Sequence, residues 1–438
     1  MSSYAQGDSM RVFMLGWEFP PFITGGLGTA CYGLTRAMDS LGIKISFVLP
    51  KMIDSQFATH VKLLTPNSQR QVESFHISEL ENVKFHTILS PLQPYANPQA
   101  YFERIEKIHA ASKRQISLPD SDTTDFIDDE HYGNDMYGEV HRYASVAARL
   151  AVREEFDIIH AHDWMTYPAG MAVAAMTGKP LVVHVHSTEF DRSGEHVNQM
   201  IYDIERAGME RADRIIAVSY FTRNILLSRY GIPGDKVEVV YNGVERNGSW
   251  ALAETGIGSE EKIVLFLGRI TMQKGPEYFL KAAKKVLDVM DNVKFVMAGS
   301  GDMMHQIISL AAELGIGQRV LFTGFLRGDE VKQIYKMADL YVMPSVSEPF
   351  GIAPLEALDH DVPVIISKQS GVSEVLTHAL KVDFWDVDEI ANKIVAVLKY
   401  PPLQLTLKNH GNFEVRKLRW KDSARRCARI YDDMLVPV

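Results

Sequence analysis

Two glutamates eight positions apart, Glu348 and Glu356, lie in the stretch SVSEPFGIAPLEAL, with two prolines and a glycine between them. LYVMPS before it reads as a strand, and VSEPFG as the turn at its carboxyl end. The next helix is expected from about Ile352, because Pro354 is tolerated in a first helical turn. Gly351 and Ile352 would then aim free N–H groups at an anion. Read as continuous helix, the gap would span about 12 Å. That matches the reach from a sugar ring, past two phosphates, to a ribose. One carboxylate could accept hydroxyl hydrogen bonds from the sugar and the other from the ribose. A glycosidase pair is disfavoured, since its carboxyl groups lie only about 5–9.5 Å apart.

Cations stand at a second junction. In FLGRITMQKGPEYFL, Arg269 and Lys274 follow a strand and precede a helix, with Gly275 at the helix start. They would suit a diphosphate, Arg as a bidentate donor and Lys as a point charge. Two solvated loop cations is the alternative. GWEFPPFITGGLGTACYGL puts Gly25, Gly26 and Gly28 between the first strand and its helix, either as an anion-binding turn or as a plain tight turn. It spells neither the P-loop nor the dinucleotide fingerprint. His160 and His162 end one strand on a shared face, and His184 and His186 end the next. Four histidines at strand ends suggest a polar rim; no open three-ligand zinc spacing stands out.

The elements that must position these residues form two series. Short Val/Ile-rich runs at 11–16, 44–50, 156–162, 180–186, 213–219 and 236–243 read as buried strands with amphipathic helices between several of them. The pattern restarts at 262–268, 293–299, 319–325, 340–345 and 362–367. Repeated strand–helix–strand units give parallel sheets covered on both faces. The expected organisation is an α/β chain with an N-terminal Rossmann-like domain over 1–243, a linker over 244–261, a C-terminal Rossmann-like domain over 262–410 and a C-terminal helix over 411–438. In that helix Ala424, Cys427, Ala428, Tyr431 and Leu435 make an apolar stripe. The acidic stretch 118–136 reads as a solvated loop or a flap.

The chain has 438 residues, which points to two domains. A net charge of −9 disfavours general nucleic-acid binding. Two distant cysteines, no signal-peptide pattern and no apolar run near 18 residues point to a cytoplasmic protein without stable membrane insertion.

GRITMQKG, FTGF, SVSEPFGIAPLEAL and SGVSEV, in that order, resemble the retaining nucleotide-sugar glycosyltransferases of the two-Rossmann-domain (GT-B) type, families 4 and 5. HAHDWMTYPAG and HVHSTEFDRSGE look like their glycogen and starch synthase branch. The resemblance implies two parallel sheets facing a central cleft, and a C-terminal helix that crosses back to the first domain. It implies Arg269 and Lys274 at the donor diphosphate, Glu348 at the donor sugar and Glu356 at the ribose hydroxyls. His186 falls at the reacting face of the donor, Gly25 and Gly26 in a loop over the phosphates, and Asp163 with His162 in the acceptor cleft. That branch carries a lysine two residues before the Gly-Gly pair; Ile23 stands here, so the family 4 pattern fits better. The implied activity moves glucose from ADP-glucose or UDP-glucose to a glycan such as an α-glucan, with retention and without a metal or other cofactor. A nucleotide-sugar epimerase of the same plan and a non-catalytic glycan- or nucleotide-binding protein are the alternatives.

Overall fold

The computed structural model describes residues 9–19, 25–52, 72–75, 80–90, 136–244 and 261–436. Ile23, nearly all of the acidic stretch and most of the linker lie outside them. The strands are β1 (Arg11–Leu15), β2 (Lys44–Met52), β3 (Val72–Phe75), β4 (Val83–Ser90), β5 (Ile158–His162), β6 (Leu181–Val185), β7 (Arg214–Ala217) and β8 (Val237–Val239) in one sheet. The other sheet holds β9 (Lys262–Leu267), β10 (Val293–Ala298), β11 (Val320–Gly324), β12 (Leu340–Met343), β13 (Val364–Ser367) and β14 (Leu380–Val382). Their orders are β3-β4-β2-β1-β5-β6-β7-β8 and β11-β10-β9-β12-β13-β14.

Leaving aside the edge strand β3, each order reverses direction once, between β1 and β5 in the first sheet and between β9 and β12 in the second. Both of these pairs are parallel. The carboxyl ends of strands flanking such a reversal leave a crevice where ligands bind in open α/β sheets. The sheets are parallel as expected, except at one edge, where β3 runs antiparallel to β4.

Alternation along the strands divides the second sheet's apolar residues between two cores. Val264, Phe266, Phe295, Leu340 and Val342 join one, with Phe279 and Leu280 of the helix Pro276–Leu287. Leu265, Val296, Tyr341, Met343 and Ile366 join the other, with Leu355 and Leu358 of the helix Ala353–Asp359. A strand buried on both faces must be apolar throughout, which is why these runs are continuous rather than alternating.

The chain forms two compact units, neither continuous in sequence. One takes Met1–His184, Asp203–Ile215 and Ala428–Val438; the other takes Val185–Tyr202 and Ile216–Cys427. The C-terminal helix runs Trp420–Leu435, preceded by another over Pro401–Val415. Of the expected stripe Ala424, Cys427 and Tyr431 are buried and Ala428 and Leu435 only partly so, while Trp420 and Ile430, which the stripe omitted, are buried as well. Among the described residues no helix is long and apolar enough to cross a membrane.

Candidate active site

In the second unit the strands at the reversal, β9 and β12, deliver the cations and the first glutamate to one place. After β9 the chain makes a 3-10 turn, Met272–Lys274, and Gly275 then opens the helix Pro276–Leu287 at φ 63°. A Cβ at Gly275 would sit 2.1 Å from the Pro344 carbonyl oxygen. Only glycine lets the Lys274 turn lie this close to the end of β12. The Lys274 ammonium donates to Glu348 Oε2 at 2.6 Å, and Ser345 Oγ donates to the same oxygen at 3.2 Å. Val346 N donates to the Gln273 carbonyl at 2.9 Å, and Arg269 reaches the Gln273 side chain. The Glu348 turn and the Lys274 turn are thus joined through both backbone and side chain.

The backbone past Glu348 is held just as firmly. Glu348 N donates to the Gln369 carbonyl at 3.0 Å, and Gly371 N donates to the Glu348 carbonyl at 2.9 Å. The Pro349 carbonyl accepts from Ser219 Oγ at 2.6 Å and from Thr222 Oγ1 at 3.3 Å. Gly351 bends the chain at φ 100°, where a Cβ would meet Glu348 Cγ and Val372 Cγ1, each at 3.2 Å. The helix Ala353–Asp359 follows with Ile352 as N-cap and a proline in its first turn. The stretch from Glu348 to Glu356 is therefore a bent loop and then a helix, so the 12 Å helical span does not describe it.

Glu356 lies in the first turn of that helix and accepts from Tyr335 Oη at 3.1 Å. Burial raises its carboxyl above the ordinary 4.5, against the pull of the Tyr335 hydroxyl, and Asp359 adds to the rise. His186 lies one residue past β6. Burial pushes its imidazole down to about 3, so the ring is neutral near pH 7.

The short helix Glu189–Ser193 follows and packs against the Lys274 turn. It opens with a capping box: Asp191 accepts from Thr188 N at 2.7 Å and Thr188 Oγ1 at 2.8 Å, and Asp191 N donates to Thr188 Oγ1. The other Asp191 oxygen accepts from Ser347 Oγ, the residue before Glu348. Asp191 is buried, and that burial raises its carboxyl despite these hydrogen bonds.

The first unit holds the remaining expected residues. Asp163 follows β5 at φ 59° and ψ 169°, a region that side chains rarely adopt. Asp163 N donates to the His184 carbonyl at 3.0 Å. Gly25 is the extended N-cap and Gly26 the exposed first residue of the helix Gly26–Asp39. Gly28 N, inside that helix start, donates to the buried Glu18 carboxylate at 2.9 Å. The protein's own carboxylate thus takes an amide at this helix end.

The histidines do not form an open rim. His160, His162 and His184 are buried in a stack, with ring centroids of His160 and His162 4.3 Å apart and tilted by 16°. His162, expected in the acceptor cleft, has 0% exposed surface. His160 Nδ1 bonds the Tyr431 hydroxyl and its Nε2 faces His184 Nδ1 at 3.2 Å. These three histidines bring ring nitrogens within 4.8 Å of one another. Near-parallel rings send their in-plane lone pairs alongside one another rather than toward one point, and both His160 nitrogens are engaged. The arrangement suits a hydrogen-bonded stack better than a metal centre. Of the four, only His186, past the strand end, keeps a partly exposed surface.

Two family models match this chain: "Glycosyl transferases group 1" over residues 251–412 and "Glycosyltransferase Family 4" over residues 110–247. An uncharacterized glycosyltransferase of Methanocaldococcus jannaschii is 30% identical over 440 residues, covering 96% of this chain and 98% of that one. The chain belongs to the family 4/5 glycosyltransferases.

The fold of this glycosyltransferase is that of the GT-B enzymes. Sucrose-phosphate synthase from Thermosynechococcus elongatus superposes with a TM-score of 0.71 at 20% identity, covering 97% of this chain and 99% of the other. Anabaena HepE in complex with UDP and glucose superposes at 0.67 and 17% identity, covering 97% and 100%. Reading motifs from the glycosyltransferase sequence misses the residues that hold its site rigid: Gln273, Asp191, Ser347, Ser219, Thr222 and Tyr335. For Asp191 a signal existed, the Thr-x-x-Asp capping box in HSTEFDRSGE. The others act through partners distant in sequence, which spacing does not reveal.

Proposed function

We propose that this glycosyltransferase moves glucose from a nucleoside-diphosphate glucose, UDP- or ADP-linked, to a glycan acceptor such as an α-glucan, with retention of configuration. The observation that carries the reading is the Lys274–Glu348 contact at the reversal between β9 and β12, beside the Gly351 bend and a helix amino end. A lysine ammonium has three donors, and Glu348 takes one; the others are available to a diphosphate. Glu348, held by Lys274 and Ser345, accepts sugar hydroxyls, and Glu356 accepts those of the ribose. Neutral His186 offers a hydrogen bond to the sugar rather than a charge. The complex of Anabaena HepE with UDP and glucose supports the donor class. The likeness of HAHDWMTYPAG to the glycogen and starch synthase branch supports the glucan acceptor.

In the reaction the bond from the anomeric carbon to the diphosphate breaks. The acceptor oxygen bonds that carbon on the same face, and its proton passes to the departing diphosphate. Arg269, Lys274 and the amides near Gly351 stabilise the charge developing on that group as preorganised electrostatics. These cations do the work that a metal does elsewhere, so a chelator leaves the rate unchanged.

The test is a screen of nucleotide sugars for diphosphate release, with and without glucan, followed by NMR of the new linkage. Glucan-dependent release and an α-linkage support the reading. Conversion of donor without acceptor identifies an epimerase, and binding without turnover identifies a non-catalytic protein. Lys274→Gln and Glu348→Gln should each lower turnover at least about tenfold in chains whose circular dichroism is unchanged. Wild-type turnover in both removes the pair from the chemistry.

A further inference from the structure

The Glu348 turn is braced on one side by the Lys274 turn and on the other by Asp191, a buried carboxylate with no place in the proposed chemistry. Asp191 lies five residues past His186. One of its oxygens takes both Thr188 donors and fixes the chain that leaves His186; the other takes the Ser347 hydroxyl. The Ser347 side chain is the immediate neighbour of Glu348, whose own carboxylate is pinned by Lys274 and Ser345. One carboxyl group thus bonds simultaneously to the segment carrying His186 and to the turn carrying Glu348. Both oxygens are engaged by donors within the protein, and the residue is only 1% exposed. A group so placed does not reach substrate. It sets the position of two groups that do.

We propose that Asp191 is a positioning residue that locks the His186 segment to the Glu348 turn through Ser347, fixing the spacing of the two side chains at the donor sugar. The inference rests on the functional reading above, and its test separates the two.

Amide hydrogen exchange on the full chain, without donor, reads the bracing directly. Ser347→Ala and Asp191→Ala should each speed exchange of the 346–351 amides at least tenfold while the strand amides of β9 and β12 stay protected. In the transfer assay both variants should lose at least tenfold in kcat, with the dissociation constant for the free nucleoside diphosphate within threefold of wild type. Ser347→Thr, which keeps the hydroxyl, should recover most of the lost kcat. The double variant should be no slower than Asp191→Ala alone, because both changes cut one link.

Unchanged exchange in both single variants overturns the proposal whatever the enzyme's substrate. So does a double variant whose loss is the product of the single losses, or a fall in kcat matched by equal weakening of nucleotide binding. If the wild-type chain turns over no nucleotide sugar, the functional reading fails on its own, and the exchange result still decides whether the brace exists.

Discussion

Asp163 and Gly351 both hold backbone conformations outside the regions open to most side chains, yet only Asp163 pays for it with a Cβ. A non-glycine residue at φ 59° and ψ 169° costs on the order of 1–3 kcal/mol. Strain of that kind persists where a side chain is needed in one place, consistent with the acceptor-cleft role that the family resemblance implies for Asp163. Asp163→Gly should therefore be more stable than Asp163→Ala by about 1 kcal/mol in urea unfolding, since glycine relieves the strain that alanine keeps. Equal stability of the two variants would place the strain elsewhere.

Glu356 gives a prediction in pH. Its folded-state pKa is raised, so the folded protein binds this proton more readily than the unfolded chain does. Stability from this group is present at low pH and lost as pH rises through the folded value, the reverse of a salt-bridged glutamate. In the role proposed for Glu356, the ionised form is the stronger acceptor for ribose hydroxyls. Nucleotide affinity measured by calorimetry should thus fall on acidification through a pH above 4.5, and Glu356→Gln should flatten that limb while lowering affinity at neutral pH.

At the scale of elements, the loop between β12 and its helix is a stack of fixed hydrogen bonds around one left-handed glycine. Gly351→Ala adds strain of about 1–3 kcal/mol and presses a methyl group on Glu348 Cγ. It should lower the urea midpoint and depress kcat more than it weakens nucleotide binding.

The elements were legible in proportion to their burial. Every run that reads as a strand is one, because a strand covered on both faces has to be apolar along its length. β4 escaped notice: VKFHTILS interleaves Lys84, His86 and Thr87 with its apolar residues. β3 and β14 escaped too: VESF and LKV each set a charged residue among few apolar ones. Placing four histidines at two strand ends follows from alternation, but their fate does not. His160, His162 and His184 lie inside β5 and β6 and turn into the interior, while His186 falls one residue beyond.

At the scale of the molecule, each sheet reverses its order once apart from the edge strand β3, and most residues that family resemblance selects follow the strands at those reversals, His186 following β6 instead. Arg269 and Lys274 follow β9, and Glu348 follows β12. Gly25 and Asp163 follow β1 and β5. Sequence could supply the types and order of these residues; that β9 neighbours β12 is a property of winding that no local pattern encodes. A ligand bound only by the folded state stabilises it by mass action, about 2.7 kcal/mol at a hundredfold excess over its dissociation constant. A nucleoside diphosphate should therefore raise the melting temperature in proportion to the logarithm of its concentration, equally with and without EDTA. A rise that vanishes with EDTA would show that a metal is needed after all.

The near-collision of position 275 with the Pro344 carbonyl also bears on attempts to redesign donor choice. Libraries that randomise the loop from Arg269 onward will lose almost every member altered at 275, for reasons of space rather than of recognition. New donor preferences are better sought by varying the walls around the turn than by varying its hinge.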